Sequence, residues 1–434
     1  MFKSIIVFFF LLSFKPAVYG QGSQPTVVTT DIDNFWIAFD SIQTTKDSAR
    51  QLFFIQSLYI DKGSEGLRAF MQLRDYSGPL WVKLINRYPA FWRSIRPNTL
   101  SVKSKAGEIE SSISRFKELY PQLKEARMYF TVGGLRSGGT TMGNMVLIGT
   151  EIATGDAATV VNEFPDKWLA NVFKDQNTDN IVPLNIHEYV HTQQRGEPRT
   201  LLGQCIKEGA CDFITELVMG KPMQTNYIRY GREHQEELKE QFKNELFTTS
   251  YSNWLYNGAN AKTVADLGYF MGYAICHSYY QQAADKKKAI RDIIELNYSD
   301  TLAVENFLTA SRYYPQPLDK TELLARFETN RPFVVRVEPF GSGNTLVDPG
   351  LKELKIVFSK PMNPKHYSIK MGPKGKDHYP ITGVVGYSED TTSLTLTLNL
   401  KPGNDYEFII TDASFKSTDG YPLKPYTVTF KTHE

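Results

Sequence analysis

Cysteine is scarce: Cys205, Cys211 and Cys276 are the whole set in 434 residues. Three thiols cannot build the disulfide framework on which small exported domains depend. Cys205 and Cys211 stand six apart in a helical pattern and point to different faces, so they do not pair with each other. A bridge from Cys276 to one of them stays open, and buried free thiols are the simpler expectation. An excess of either charge is lacking too. Lys and Arg total 49 against 47 Asp and Glu, a formal net charge of +2. That argues against a general nucleic-acid binder, which needs a basic excess to neutralise phosphates. Beyond residue 20 no uninterrupted apolar run has the length of a bilayer span. There is no tandem repeat and no low-complexity tract.

What is present suits two or three folded domains. Apolar residues make up 41% and aromatic residues 13%, enough for a full core and for ligand-lining surface. Residues 1–20 carry Lys3, an apolar run from Ile5 to Phe14, and then Val18 and Gly20 before Gln21. This is the pattern of a secretory signal peptide, too short for a bilayer span, and it predicts export to the periplasm, the cell surface or the medium. Cleavage removes Lys3 and Lys15 and no acid, which takes the net charge from +2 to zero.

From Ile32 to about Lys124 apolar residues recur at three- and four-residue steps, with Pro121 marking a break. Residues 126–152 differ, with strand-like ends around Gly133, Gly134, Gly138, Gly139 and Gly143. They predict a hairpin, or a strand with close backbone approach, whose edge can receive an extended peptide. No Lys-Ser/Thr follows these glycines, so they are not a phosphate-binding loop. Residues 183–220 read as two helices with a break at Arg195–Arg199, and residues 265–325 as further helices. From Arg331 the pattern switches to period-two alternation punctuated by Pro339, Pro349-Gly350, Pro402-Gly403 and Asp419-Gly420. That predicts an all-β sandwich over 331–434, after a mainly α (α+β) domain over 21–330.

The strongest chemical signal is His187-Glu188-Tyr189-Val190-His191. On a helix, residues four apart lie one turn above each other, so two imidazoles face one point, as a tetrahedral metal requires. Glu188 can reach a metal-bound water as general base. Pro183 suits the first helical turn and Gly196 the end. A catalytic zinc needs a third protein ligand. Glu197, six residues after His191, would need a sharp turn, and Gln194 stands where glycine would make it. Glu208, seventeen residues after His191, lies on the next helix, which can fold back antiparallel. Asp212 follows one turn later, spaced to accept an N–H from a ligating histidine.

Two helices supplying His, His and Glu with an Asp one turn on resemble the gluzincin zinc peptidases, both thermolysin-like and aminopeptidase-like. The resemblance implies Zn2+ held by His187, His191 and Glu208, with Glu188 as base in peptide-bond hydrolysis. Residues 30–325 are also similar to an uncharacterised bacterial family of predicted zinc proteases. The segments that carry this are DNFWIAFD, TVGGLRSGGTTMGNMVLIG, HEYVH, KEGACDF and GYFMGY. A related gliding-motility lipoprotein group is similar too, although this chain lacks the lipid-acceptor cysteine. Gluzincins use a Tyr or His to donate to the oxyanion. Tyr269, Tyr273 and His277 are the candidates, with Tyr273 taken as the catalytic one.

The C-terminal segment, with Phe358-Ser359-Lys360-Pro361-Met362 and Asp419-Gly420, resembles the bacterial Ig-like modules of exported proteins. It implies a spacer or adhesion module with a cell-envelope partner. The expectation is an exported zinc metallopeptidase acting on a peptide or protein. Its rival is a catalytically silent envelope protein that keeps the same fold. The remaining histidines, His234, His366, His378 and His433, are scattered and read as surface residues.

Overall fold

The computed structural model describes residues 26–434 except 175, 259, 260, 262 and 366, so the signal segment and His366 lie outside the described residues. The chain forms two compact units, Met1–Ser111 with Lys124–Val182, and Ser112–Leu123 with Pro183–Glu434. The compact division therefore does not follow the composition shift near Asn330. It cuts through a long helix, whose last turns from Ser112 join the second unit.

In the first unit, helices α1 (Thr30–Gln43), α2 (Ser48–Ile55), α3 (Glu65–Arg74), α4 (Gly78–Arg87) and most of α5 (Pro89–Leu119), with the shorter α6 (Thr150–Ala153) and α7 (Trp168–Lys174), accompany a sheet. Strands β1 (Val27–Val28), β2 (Arg127–Thr131), β3 (Gly139–Met142) and β4 (Met145–Gly149) lie in the order β1-β2-β4-β3. All pairs are parallel except β3 with β4. The glycine-rich stretch is thus a loop followed by a hairpin, and Gly143 (φ 58°) makes its turn. Phe35, Trp36, Tyr59, Trp81 and Trp92 form an aromatic core. Trp81 Nε1 donates to Gly133 O at 2.8 Å and Tyr59 Oη to Val132 O at 2.7 Å, which fixes the loop after β2.

Glu151, in α6 (Thr150–Ala153), is fully buried and accepts the N–H groups of Gly133 (2.7 Å) and Leu135 (3.1 Å). Burial pushes its carboxyl from 4.5 up to about 7 in spite of those two donors. An acid with a raised folded value holds its proton more tightly folded than unfolded. Stability is therefore fully present below about pH 4.5 and is lost as pH rises to about 7. The loss is on the order of 3 kcal/mol. Glu151→Gln is expected to flatten this part of the pH profile. Denaturant unfolding followed by tryptophan emission checks it, because Trp36, Trp81, Trp92 and Trp168 belong to this unit and Trp254 does not. A slope that survives the substitution would assign the effect to another group.

The second unit holds α8 from Pro183 onward (Ile181–His191), α9 (Leu201–Met219), α10 (Asn226–Glu233), α11 (Gln235–Lys243) and α12 (Leu267–Gln282). After these come α13 (Lys286–Ile294), α14 (Thr301–Ser311) and α15 (Lys320–Asn330). Thr200 caps α9 by accepting from Gly203 N, and Gly220 (φ 65°) ends it. Asp285 caps α13, so the charged run at 285–288 is a helix start as well as a solvated edge. Helices α9 and α12 cross in backbone contact. A Cβ on Gly272 would stand 1.7 Å from Cys205 O, and one on Gly209 would stand 2.0 Å from Tyr273 N. This crossing fixes the level of each α12 side chain against the carboxylates of α9. All three cysteines are buried and free, so Cys276 forms no bridge.

The sandwich begins at β5 (Val334–Glu338), just after α15. One sheet runs β5-β6-β9-β8, with β6 (Glu353–Phe358), β8 (Ile381–Tyr387) and β9 (Ser393–Leu398). The other runs β11-β10-β7, with β7 (Ile369–Met371), β10 (Asp405–Ile410) and β11 (Tyr426–Lys431). Every pair is antiparallel. Leu354, Ile356, Leu394, Leu396, Phe408, Ile410 and Val428 alternate inward to form its core.

Candidate metal centre

Helix α8 presents His187 and His191 with ring centroids 4.9 Å apart. His187 Nδ1–H donates to Asp212 Oδ1 at 2.8 Å. His191 Nδ1–H donates to Gln194 Oε1 at 2.8 Å, and the amide of Gln194 is oriented by its own Nε2 donating to Lys207 O at 2.8 Å. With each Nδ1 engaged in this way, both rings turn their Nε2 to the same place. Glu208 Oε2 lies there as well, 3.2 Å from His191 Nε2 and 3.6 Å from His187 Nε2. Atoms bound to one tetrahedral zinc at about 2.0–2.1 Å lie roughly 3.3–3.4 Å from each other, which those two separations bracket.

The other oxygen of Glu208 is occupied. Oε1 accepts Gln204 Nε2 at 2.9 Å and Tyr256 Oη at 3.1 Å. Oε2 is left for the imidazole side. Three nitrogen and oxygen lone pairs meeting in a buried site repel one another unless a cation or protons separate them. Glu208 and Asp212 are 7% and 1% exposed. Among the described residues neither has a Lys or Arg partner. Burial disfavours charge on His187, yet the Asp212 carboxylate, then Glu208, outweighs it and holds the imidazole well above its usual range. Burial likewise opposes ionisation of Glu208, and the two imidazoles overcome it, drawing the carboxyl well below its usual range. The donor set fits a divalent cation.

Cys211 enters the same neighbourhood. Ligand atoms of His187, His191 and Cys211 lie within 4.8 Å of one another. Its Sγ, however, is 3.3 Å from His191 Nδ1, on the far side of the ring from Glu208, and the thiol donates to Lys207 O. The Nε2, Nε2, Oε2 trio is the set that converges, and Cys211 backs the ring. Glu188 is half-buried and, among the described residues, has no hydrogen bond or ion pair. Glu197 is exposed and paired with Lys207 at 3.0 Å.

Tyr273, expected at the catalytic centre, is placed elsewhere. Its phenol donates to Glu216 Oε1 at 2.8 Å and accepts from Arg232 Nη2 at 2.9 Å. The tyrosine one turn earlier, Tyr269, stacks on His187 with centroids 6.1 Å apart. His277 stacks on Tyr273, further along α12. Sequence reasoning missed Tyr256, Gln204 and Gln194. The last stands three residues after His191, a helical spacing that could have flagged it. Tyr256 is 48 residues from Glu208 in a polar segment with no pattern of its own.

The second unit is therefore a helical body with a buried His-His-carboxylate cluster, continued by an Ig-like β-sandwich. Residues 70–315 match the family described as gliding motility protein GldB, and residues 328–432 match a bacterial Ig-like domain. The chain belongs to the gliding motility protein GldB family. No curated protein matches it. Among solved structures it is similar to CopC from Methylosinus trichosporium OB3b, at 25% identity and a TM-score of 0.19, over 24% of this chain and 97% of that one. It is also similar to the S-layer protein SbsC (residues 31–844), at 14% identity and a TM-score of 0.18, over 94% of this chain and 45% of that one. Among the described residues no helix is long and apolar enough to cross a membrane.

Proposed function

We propose that the chain is an exported zinc-dependent metallopeptidase with a gluzincin-like catalytic domain, in which His187, His191 and Glu208 hold the metal and Glu188 is the general base. The observation that carries this reading is the meeting of the two imidazole Nε2 atoms and Glu208 Oε2 in a buried cluster with no Lys or Arg partner among the described residues. When bound, zinc would lower the pKa of a coordinated water and polarise the substrate carbonyl. The chain's own residues do the rest. Asp212 and Gln194 fix the two imidazole tautomers, and Gln204 and Tyr256 hold Glu208 to one free oxygen. Glu188, adjacent to His187 and unengaged, takes the proton of the attacking water.

The purified full chain is expected to carry one zinc per molecule by elemental analysis, and His187→Ala is expected to lose it. A chain that stays metal-free after dialysis against zinc overturns the reading. The rival is a catalytically silent cell-envelope assembly protein. Membership in a family named for gliding motility, together with an Ig-like domain suited to an envelope partner, favours it. Bound zinc with no hydrolysis of any peptide in a library, unchanged by Glu188→Gln, is the result that selects it.

A further inference from the structure

The two sheets of the Ig-like sandwich end in β5, β8, β11 and β7. Among the described residues, three of these edges are guarded against a further strand. Along β11, Lys431 N donates to Asn344 O at 2.8 Å and Val347 N to Lys431 O at 3.0 Å, so a loop covers it. Strands β5 and β8 carry register shifts, between Val334 and Arg336 and at two points from Ile381 to Gly386. A shifted edge bends out of line with an incoming strand. Strand β7 has neither device. It pairs with β10 without a shift, Lys370 opposite Ile409, and Thr411 N donates to Ser368 O at 3.0 Å. Hydrogen-bonded pairs alternate along an antiparallel ladder, so Ser368 and Lys370 bond toward β10. The N–H and C=O groups of Ile369 and Met371 then point away from it. Among the described residues nothing bonds to them. The side chains differ by face. Ile369 packs on the sandwich core, and Tyr367 and Met371, two residues to either side, are 50% and 52% exposed. The other face carries Lys370, exposed and, among the described residues, without a carboxylate partner. Residues 365–376 hold four lysines and no acid, and of these lysines Lys374 is the one in an ion pair, with Asp405 at 3.2 Å.

We propose that the edge of β7 takes up an extended segment of a partner protein as an added strand, one in which acidic residues alternate with apolar ones. The unpaired backbone calls for a strand. The two faces of β7 set its pattern, because side chains of adjacent strands lie side by side on each face. A residue opposite Lys370 is best acidic. Its two neighbours fall against Ile369 and Met371 and are best apolar. A lysine deters an edge from pairing with a neutral or basic strand, and becomes a cross-strand ion pair when the incoming residue is acidic, so it selects among partners. It also argues against a second copy of this chain. Two β7 edges pairing antiparallel about Lys370 would set two ammonium groups directly opposite each other. The peptidase reading plays no part in this inference.

Fluorescence anisotropy on the full chain at low ionic strength tests this with a labelled, end-blocked peptide that alternates Val and Glu. EDTA is present throughout, so no metal-dependent cleavage intervenes and the outcome does not depend on the zinc assignment. The Glu peptide is expected to bind about threefold or more tighter than its Gln twin, and a Lys twin more weakly than either. Lys370→Glu changes an exposed side chain, so the fold is kept, and it is expected to reverse that order. Met371→Pro removes one outward N–H and leaves the bonds to β10, and is expected to weaken binding about fivefold or more. Backbone methylation of the peptide separates strand addition from charge attraction. N-methyl groups on the valines are expected to abolish antiparallel addition, and N-methyl groups on the glutamates parallel addition, so the set that fails gives the direction. Binding that survives both sets, equal binding of the Glu and Gln peptides, no binding, or an order unchanged by Lys370→Glu overturns the proposal. So does a full chain that sediments as a dimer and becomes a monomer on Met371→Pro, which gives the edge to a second copy.

Discussion

Glu188→Gln is expected to lower peptide hydrolysis by about 10²–10⁴-fold while leaving zinc content, melting temperature and KM close to the parent. The expectation comes from how the three carboxylates of the cluster are used. Asp212 is bound to His187 Nδ1, and Glu208 is held by Gln204 and Tyr256 while facing both imidazoles. Glu188 is the neighbour that, among the described residues, has no partner to hold it. A carboxylate free of ion pairs keeps its lone pairs for a proton. The amide is nearly the same shape but cannot accept and hold one at neutral pH. Loss of the proton acceptor with retention of the metal should therefore appear in kcat and hardly in KM. Stopped assays on a cleaved library peptide, paired with elemental analysis of the same samples, separate the two. An unchanged rate would remove Glu188 from the reaction and leave the cluster as a metal site without this chemistry.

The chemistry-bearing part of this arrangement was legible because it depends on one period. His187 with His191, and Glu208 with Asp212, are both four apart, and a helix puts such pairs on one face whatever surrounds them. The choice between Tyr269 and Tyr273 was not legible. Both repeat at the same spacing, and α9 offers Glu208, Asp212 and Glu216 at that spacing too. Which tyrosine meets which acid is a matter of how far α12 slides along α9. The glycine crossing settles that level, placing Tyr269 at His187 and Tyr273 at Glu216. Tyr256 comes from a segment without periodicity, so nothing marked it. In the sandwich, the inner strands β6 and β9 showed clean alternation, whereas β8 did not. Register shifts near Gly383 and Gly386 break its two-residue period, and it lies at the sheet's edge. Strand β7 spans Ile369–Met371, too short to show a period. The division into compact units was hidden as well. Phe116 and Tyr120 belong to α5 and its end, yet they pack on Tyr189 and bond to Glu295 in the second unit.

The second large effect should come from a residue that touches no ligand. Gly272→Ala is expected to destabilise the second unit by about 3 kcal/mol or more and to reduce zinc retention with it. The added methyl would stand 1.7 Å from Cys205 O, 2.3 Å from Cys205 C and 2.9 Å from Ile206 N. These are backbone atoms of a helix, so no rotamer change relieves the overlap, and α9 must move away from α12 or shift along it. Either movement carries Glu208 and Asp212, which ride on α9 one and two turns beyond the contact, away from imidazoles fixed on α8. Gly209→Ala meets the same obstacle from the other side, 2.0 Å from Tyr273 N and 2.2 Å from Gly272 C. A matched control exists in the first unit. Gly107 lies on an exposed face of α5, and its added methyl meets nothing within 4 Å. There Gly107→Ala should be neutral or stabilise by roughly 0.5–1 kcal/mol, since alanine favours the helix. Chemical denaturation followed by far-ultraviolet circular dichroism, with zinc release into a chelator dye on the same samples, reads both consequences. If Gly272→Ala unfolds at the same denaturant concentration as Gly107→Ala, the two helices are not held by backbone contact. The level of Tyr269 against His187 would then need another cause.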